Sequence, residues 1–323
     1  MSAPAIETVG LQREFKGGLR AVDGIDLAVA PGEVYGFLGP NGAGKTTTVR
    51  MLVTLLRPSG GRATIAGFDV ATQPAEVRRR IGVALQEAAL DPLMNGRELM
   101  ELQATLHGIA RADVQERAGD LIDRVGLTQA ADRRIGTYSG GMRRRLDLAM
   151  ALIHRPEVLF LDEPTTGLDP TSRATLWDEV RRLRDEGTTV FLTTQYLEEA
   201  DQLADRVGII SAGRLVAEGT PEALKAEVGS PHLDITLAGE QPDVEAARSA
   251  VAGFGALRDV AGDDDGLSGP HISVTVATGA AAIAPVVRAL EDAGLHVEAL
   301  EIVRPTLDDV FAAQTGQHLE GAA

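Results

Sequence analysis

The sequence predicts an α/β fold carrying a helical insert, followed by a small α+β unit, on three observations. Short runs that are apolar on both faces, Val34–Leu38, Val158–Leu161 and Val190–Thr193, read as strands of a parallel sheet covered by helices on both sides. The stretch from about residue 87 to 156 is mostly helical in pattern and lies between two of those strands. Residues 232–323 carry 15 Asp and Glu against 4 Arg and Lys, a net −11 out of −16 for all 323 residues, and this composition break marks a second domain.

Taken in order, the first apolar strand runs directly into Gly39-Pro40-Asn41-Gly42-Ala43-Gly44-Lys45-Thr46 and then a helix. Strand, glycine-rich loop and helix in that order make a phosphate-binding loop. Its glycines let backbone N–H groups turn inward, the helix start adds positive potential, Lys45 neutralises β and γ phosphates, and Thr46 can ligate magnesium. Asn41, Gly42, Gly44, Lys45, Thr46 and Thr47 are the expected nucleotide contacts. Strand 81–85 follows and ends at Gln86. The helical insert opens with a capping-box pattern at Asn95 and Glu98, and a helix is expected over 140–154.

Strand 158–161 ends in Asp162-Glu163-Pro164. By itself an acidic pair at a strand end is more often a helix cap. Beside a phosphate loop, Asp162 is placed to hold magnesium through water, while Glu163, projecting to the other side, could act as general base on an attacking water. Asp169 before Pro170 reads alone as a helix cap. After strand 190–194 comes Gln195, and a helix over 221–227 ends in the Gly229-Ser230-Pro231 break. The tail then gives strand 232–238, helix 243–253, strands 256–261 and 271–277, helix 280–293 and strand 295–303, the βαββαβ order of a ferredoxin-like domain. Asp263–Asp265 fall in the loop between its middle strands and read as a solvated loop. The domains are therefore expected at 1–229, with the helical subdomain at about 87–156, and at 230–316, before a short tail at 317–323.

Composition narrows function. No cysteine is present, which excludes disulfides, thiolate metal sites and a cysteine nucleophile. The net charge of −16 opposes binding to nucleic acid. The arginine clusters 78–80 and 143–145 are expected on solvated helix faces or against phosphates and acidic partner loops. Neither a signal peptide nor an apolar run long enough to span a membrane is expected.

The run Tyr138-Ser139-Gly140-Gly141-Met142-Arg143 resembles the signature motif of the nucleotide-binding subunits of ATP-binding-cassette (ABC) transporters, with Tyr138 and Met142 replacing its outer residues. The resemblance implies a P-loop NTPase cassette that binds ATP and Mg2+. In it, Ser139, Gly140 and Gly141 meet the γ-phosphate of a nucleotide held by a second subunit, so that a homodimer sandwiches two nucleotides. Phe15 then corresponds to the aromatic residue stacking on adenine, Gln86 to the glutamine touching magnesium, and Asp169 to the loop facing the partner's phosphate loop. Gln195 stands where most cassettes carry histidine; it can donate a hydrogen bond to the γ-phosphate but cannot titrate. That replacement, with Thr137–Arg145 and the ending Arg304–Phe311, resembles the daunorubicin-resistance type of bacterial drug exporter. The implied protein is a peripheral ATPase on the cytoplasmic face of the membrane, driving a separate membrane-spanning permease. Export of a lipid, glycan or peptide is the alternative, followed by a soluble ABC ATPase acting on DNA or ribosomes.

Overall fold

The computed structural model describes residues 3–86, 90–239, 242–258, 271–276 and 279–318. It divides into two compact units, one of residues up to Pro221 together with those from Gln314, the other Glu222–Ala313. The division lies a helix earlier than the 229/230 boundary read from the sequence.

The first unit holds two sheets. The antiparallel sheet consists of β1 (Ile6–Glu14), β2 (Arg20–Val29), β4 (Gly60–Ile65) and β5 (Phe68–Asp69), in the order β2-β1-β4-β5. The larger sheet contains β3 (Val34–Leu38), β6 (Ile81–Ala84), β7 (Val158–Asp162), β8 (Thr189–Thr194), β9 (Arg206–Ser211) and β10 (Arg214–Gly219), in the order β10-β9-β3-β8-β7-β6. All its pairs are parallel except that of β10 with β9. β3, β7 and β8 are buried along their whole length, as their two-sided apolar patterns predict. One face builds an aromatic core on Phe191, whose ring centroid lies 5.6, 5.4 and 5.6 Å from those of Tyr35, Phe37 and Phe160.

The helices of this unit are α1 (Lys45–Leu52), α2 (Pro74–Arg80), α3 (Gly96–Leu106), α4 (Arg111–Arg124), α5 (Gly140–Ala151), α6 (Pro170–Asp185) and α7 (Leu197–Leu203). The helical insert comprises α3, α4 and α5, whose apolar residues share one core with the inner face of the sheet. Its start carries the expected capping box, with Glu98 N donating to Asn95 Oδ1 and Asn95 N to Glu98 Oε2, each at 2.9 Å. No helix among the described residues is long and apolar enough to cross a membrane.

The second unit begins in α8 (Pro221–Val228) and continues with β11 (His232–Leu237), α9 (Val244–Val251), β12 (Leu257–Arg258), β13 (His271–Thr275), α10 (Ile283–Asp292), β14 (Val297–Val303) and α11 (Leu307–Thr315). Its sheet has the order β12-β13-β11-β14 and is antiparallel throughout. Leu233, Ile235, Val274, Val286 and Leu290 fill the core between this sheet and its helices. The alanine run expected to start a helix at 280 instead forms a 3-10 turn, Gly279–Ala282, before α10. Asp263–Asp265 and the end of the strand expected at 256–261 lie outside the described residues.

At the C-terminal ends of α3 and α5, His107 and His154 stack with centroids 3.9 Å apart and planes 5° from parallel. Burial is the main cause that holds His154 down at about 4, and His107 is lowered for the same reason. Because the folded value lies below the unfolded one, the unfolded chain takes the proton first as pH drops under 6.5. Stability present above pH 6.5 is therefore lost as pH falls towards 4. Thermal midpoints measured between pH 7.5 and 4.5 should fall less steeply for His154→Phe than for the parent; equal slopes would contradict this.

Candidate functional site

Steric contacts shape the loop between β3 and α1. A Cβ on Gly39 would lie 2.4 Å from the Ile210 carbonyl, and one on Gly44, which has φ +111°, 2.4 Å from that of Ala21. Only glycine fits at either place, so the loop is held close against β2 and β9. Lys45 opens α1 and is buried; its Nζ donates to Gly39 O at 2.7 Å and Pro40 O at 3.1 Å and pairs with Glu163 Oε1 at 3.2 Å. Asn41, Gly42, Gly44, Lys45, Thr46 and Thr47 line a cavity of about 260 Å³, together with Gln86 and Glu163. The first turn of α1 brings its positive end and its free N–H groups to this cavity, which suits a phosphate chain.

Asp162 ends β7 beneath the loop and is 1% exposed. Its Oδ1 accepts from Thr193 Oγ1 at 2.5 Å and from Thr46 Oγ1 at 3.3 Å. Its Oδ2 is buried with no hydrogen-bond partner. A buried carboxylate oxygen without a donor is costly unless a cation completes it. With the Thr46 hydroxyl on its other oxygen, and Gln86 lining the same cavity as Thr46, these side chains offer hard oxygen donors, a set that fits magnesium.

Glu163 departs from the expected orientation. Simple strand alternation would send it away from Asp162, yet its φ of +49° lies in the left-handed region and breaks that alternation. Its N–H donates to Thr193 O and Thr193 Oγ1, each at 3.1 Å, and these bonds hold the strained backbone. The carboxylate therefore lies in the cavity, between Lys45 Nζ and Gln86 Nε2, the latter 3.4 Å from Oε2.

The remaining candidates lie elsewhere. Ser139 caps α5 by accepting from Met142 N at 3.2 Å. Asp169 caps α6 by accepting from Ser172 N at 2.9 Å and Ser172 Oγ at 2.7 Å, and the Ser172 side chain is the main cause of its lowered carboxyl pKa. The two helix starts adjoin, since a Cβ on Gly141 would lie 2.6 Å from Ser172 Oγ. Neither start lines the first cavity, and neither do Gly140 and Gln195. Gln195 follows β8 and is half-buried. Phe15 follows β1, is exposed, and stacks under the Arg13 guanidinium at 4.8 Å.

Arg144, in a cluster expected on a solvated face or against phosphates and acidic partner loops, is instead buried. Its Nε donates to Pro164 O at 3.0 Å, its Nη2 to Asp162 O at 2.8 Å, and its Nη1 to Leu85 O. Its periodic position on the inner face of α5, beside Leu148, was the available signal. Asp147, 3.4 Å from Nη1, is also buried, which pushes its carboxyl up to about 6. Thr193, another residue without an assigned role in the sequence reading, bridges Asp162 to the backbone of Glu163. Arg78, Arg79 and Arg80 pair locally, with Thr54 and Glu76.

A family model described as ABC transporter matches residues 22–166. Over 316 residues the chain is 49% identical to a daunorubicin resistance ATP-binding protein, DrrA3 of Streptomyces coeruleorubidus, covering 98% of this chain and 97% of that one. It is 50% identical over 312 residues to the daunorubicin/doxorubicin resistance ATP-binding protein DrrA of Streptomyces peucetius, covering 97% and 92%. Among solved structures it is similar in fold to a dimeric ATP-binding cassette in a post-hydrolysis state bound to ADP and Pi, with a TM-score of 0.62, 23% identity, and coverage of 67% of this chain and 98% of that chain.

Proposed function

Because the chain belongs to the ATP-binding subunits of ABC transporters, and among them to those of the daunorubicin-resistance type, we propose that it powers efflux of a drug-like molecule through a separate membrane-spanning permease, hydrolysing Mg-ATP between two copies of itself at the cytoplasmic face of the membrane. The observation that carries this reading is the convergence of Lys45, Gln86 and Glu163 on one cavity at the start of α1.

Phosphate oxygens entering that cavity compete for Lys45 Nζ with the Gly39 and Pro40 carbonyls and with Glu163 Oε1. A phosphate carries more charge than a carbonyl, so Lys45 turns to it, and Glu163 is left free to take a proton from an attacking water. Thr46, Gln86 and Asp162 would hold magnesium, which when bound neutralises charge on the β and γ phosphates. Phe15 offers an exposed ring for adenine, and Asn41 to Thr47 wrap the phosphates. From a second copy, Ser139, Gly140 and Gly141 at the start of α5 reach the γ-phosphate, with Asp169 beside them. Gln195 donates a hydrogen bond there without changing charge, so no imidazole titration should shape the rate.

Inside-out vesicles carrying the permease and this chain test the transport assignment. Mg-ATP should drive daunorubicin accumulation several-fold above vesicles with the Lys45→Ala chain. ATP turnover stimulated by the permease without daunorubicin accumulation would move the cargo to a lipid, glycan or peptide.

A further inference from the structure

Arg144 joins the two halves of the ATPase machinery. It lies on α5, the helix that opens at Ser139, five residues and about 7.5 Å along the axis from that cap. Its guanidinium reaches the carbonyls of Asp162 and Pro164, on either side of Glu163, and that of Leu85, directly before Gln86. Gln86 Nε2 is in turn 3.4 Å from Glu163 Oε2. One planar fork thus ties both segments that present polar groups to the cavity onto the helix whose start forms the signature turn.

The chemistry favours a specific role over packing. Among the described residues Asp147, at 3.4 Å, is the carboxylate paired with Arg144; its shorter bonds go to backbone carbonyls. A buried charge held mainly by carbonyls is expensive, and an apolar residue would pack there more cheaply. What an apolar residue could not do is hold three carbonyls from two separate segments in one fixed geometry, for which the five donors of a guanidinium are suited and the point charge of lysine is not.

We propose that Arg144 is a positioning residue of the hydrolytic cycle. It makes the signature turn of a chain and that chain's own Glu163 and Gln86 move as one body, so that engagement of Ser139–Gly141 with a partner's nucleotide sets the geometry of the base in the other site. The inference rests on the reading of Glu163 as base and of a shared dimer site. Arg144 itself touches no nucleotide.

Steady-state ATP turnover and thermal unfolding of the full chain test it with Arg144→Lys. Arg145→Lys is the control, since Arg145 also donates to carbonyls, those of Val125 and Gly126 at 2.8 and 3.3 Å, away from the cavity. Arg144→Lys should lower kcat about tenfold or more while KM for ATP stays within about twofold, and Arg145→Lys should leave kcat within about twofold. A kcat near the parent's for Arg144→Lys overturns the proposal. So does a parallel fall in kcat and thermal midpoint in both variants, which is what a purely structural role gives. If Arg144→Lys fails to fold, Asp147→Asn, which keeps shape and removes the paired carboxylate, should lower kcat about threefold at unchanged KM, and an unchanged kcat overturns the proposal. An inactive Glu163→Gln beside a fully active Arg144→Lys rejects the coupling alone. An active Glu163→Gln rejects the assignment of the base and this inference with it.

Discussion

Replacing Glu163 with glutamine should lower ATP turnover by about 10²- to 10⁴-fold, the usual contribution of a positioned general base, while nucleotide binding changes by no more than a few-fold. The two carboxylates at the end of β7 are built differently. Asp162 is saturated on one oxygen by Thr46 and Thr193 and bare on the other, an arrangement suited to a cation. Glu163 lies in the cavity itself, its left-handed backbone pinned by Thr193, with Lys45 and Gln86 as its partners. Glutamine preserves shape and the contact with Gln86 but cannot accept a proton. The loss should therefore appear in kcat, with KM nearly unchanged. Turnover within tenfold of the parent would remove Glu163 from the role of base.

Lys45→Ala should have the second large effect, and it should show in both binding and stability. Losing a charge-assisted contact to phosphate weakens ATP binding by at least about tenfold. Removing one partner of a buried ion pair also strands the other, here Glu163, which loses its paired ammonium at a cost on the order of 3 kcal/mol. For a unit of this size that corresponds to a fall of about 6–12 °C in thermal midpoint. The double variant Lys45→Ala with Glu163→Gln separates the two effects. It should regain much of the midpoint, because no charge is stranded, and none of the ATP affinity. Full recovery of both, measured by calorimetry and nucleotide titration, would contradict the role given to Lys45.

The sequence announced the parts of this site that depend on local pattern. A glycine-rich loop between an apolar strand and a helix has few other uses, and the steric reasons at Gly39 and Gly44 match the pattern that revealed it. Strands β3, β7 and β8 were legible because burial on both faces leaves an unbroken apolar run. The orientation of Glu163 was not, because alternation along a strand says nothing of the single left-handed residue that ends it. Nor was the role of Arg144: its spacing from Leu148 marks the inner face of α5, but the carbonyls it holds come from segments far away in the chain. The neighbouring helix starts at Ser139 and Asp169 each look like ordinary caps, and in one chain they are. In the proposed function they meet a nucleotide held by a second copy.

That second copy is the centre of the account. Sedimentation of the full-length Glu163→Gln protein, with and without Mg-ATP, tests it most directly, because a chain that binds but does not hydrolyse should accumulate the closed pair. The expected result is a nucleotide-dependent shift from monomer to dimer, abolished by Ser139→Arg, which blocks the start of α5 without touching the cavity around Lys45. Saturation with ATP and no change in sedimentation would contradict hydrolysis between two copies.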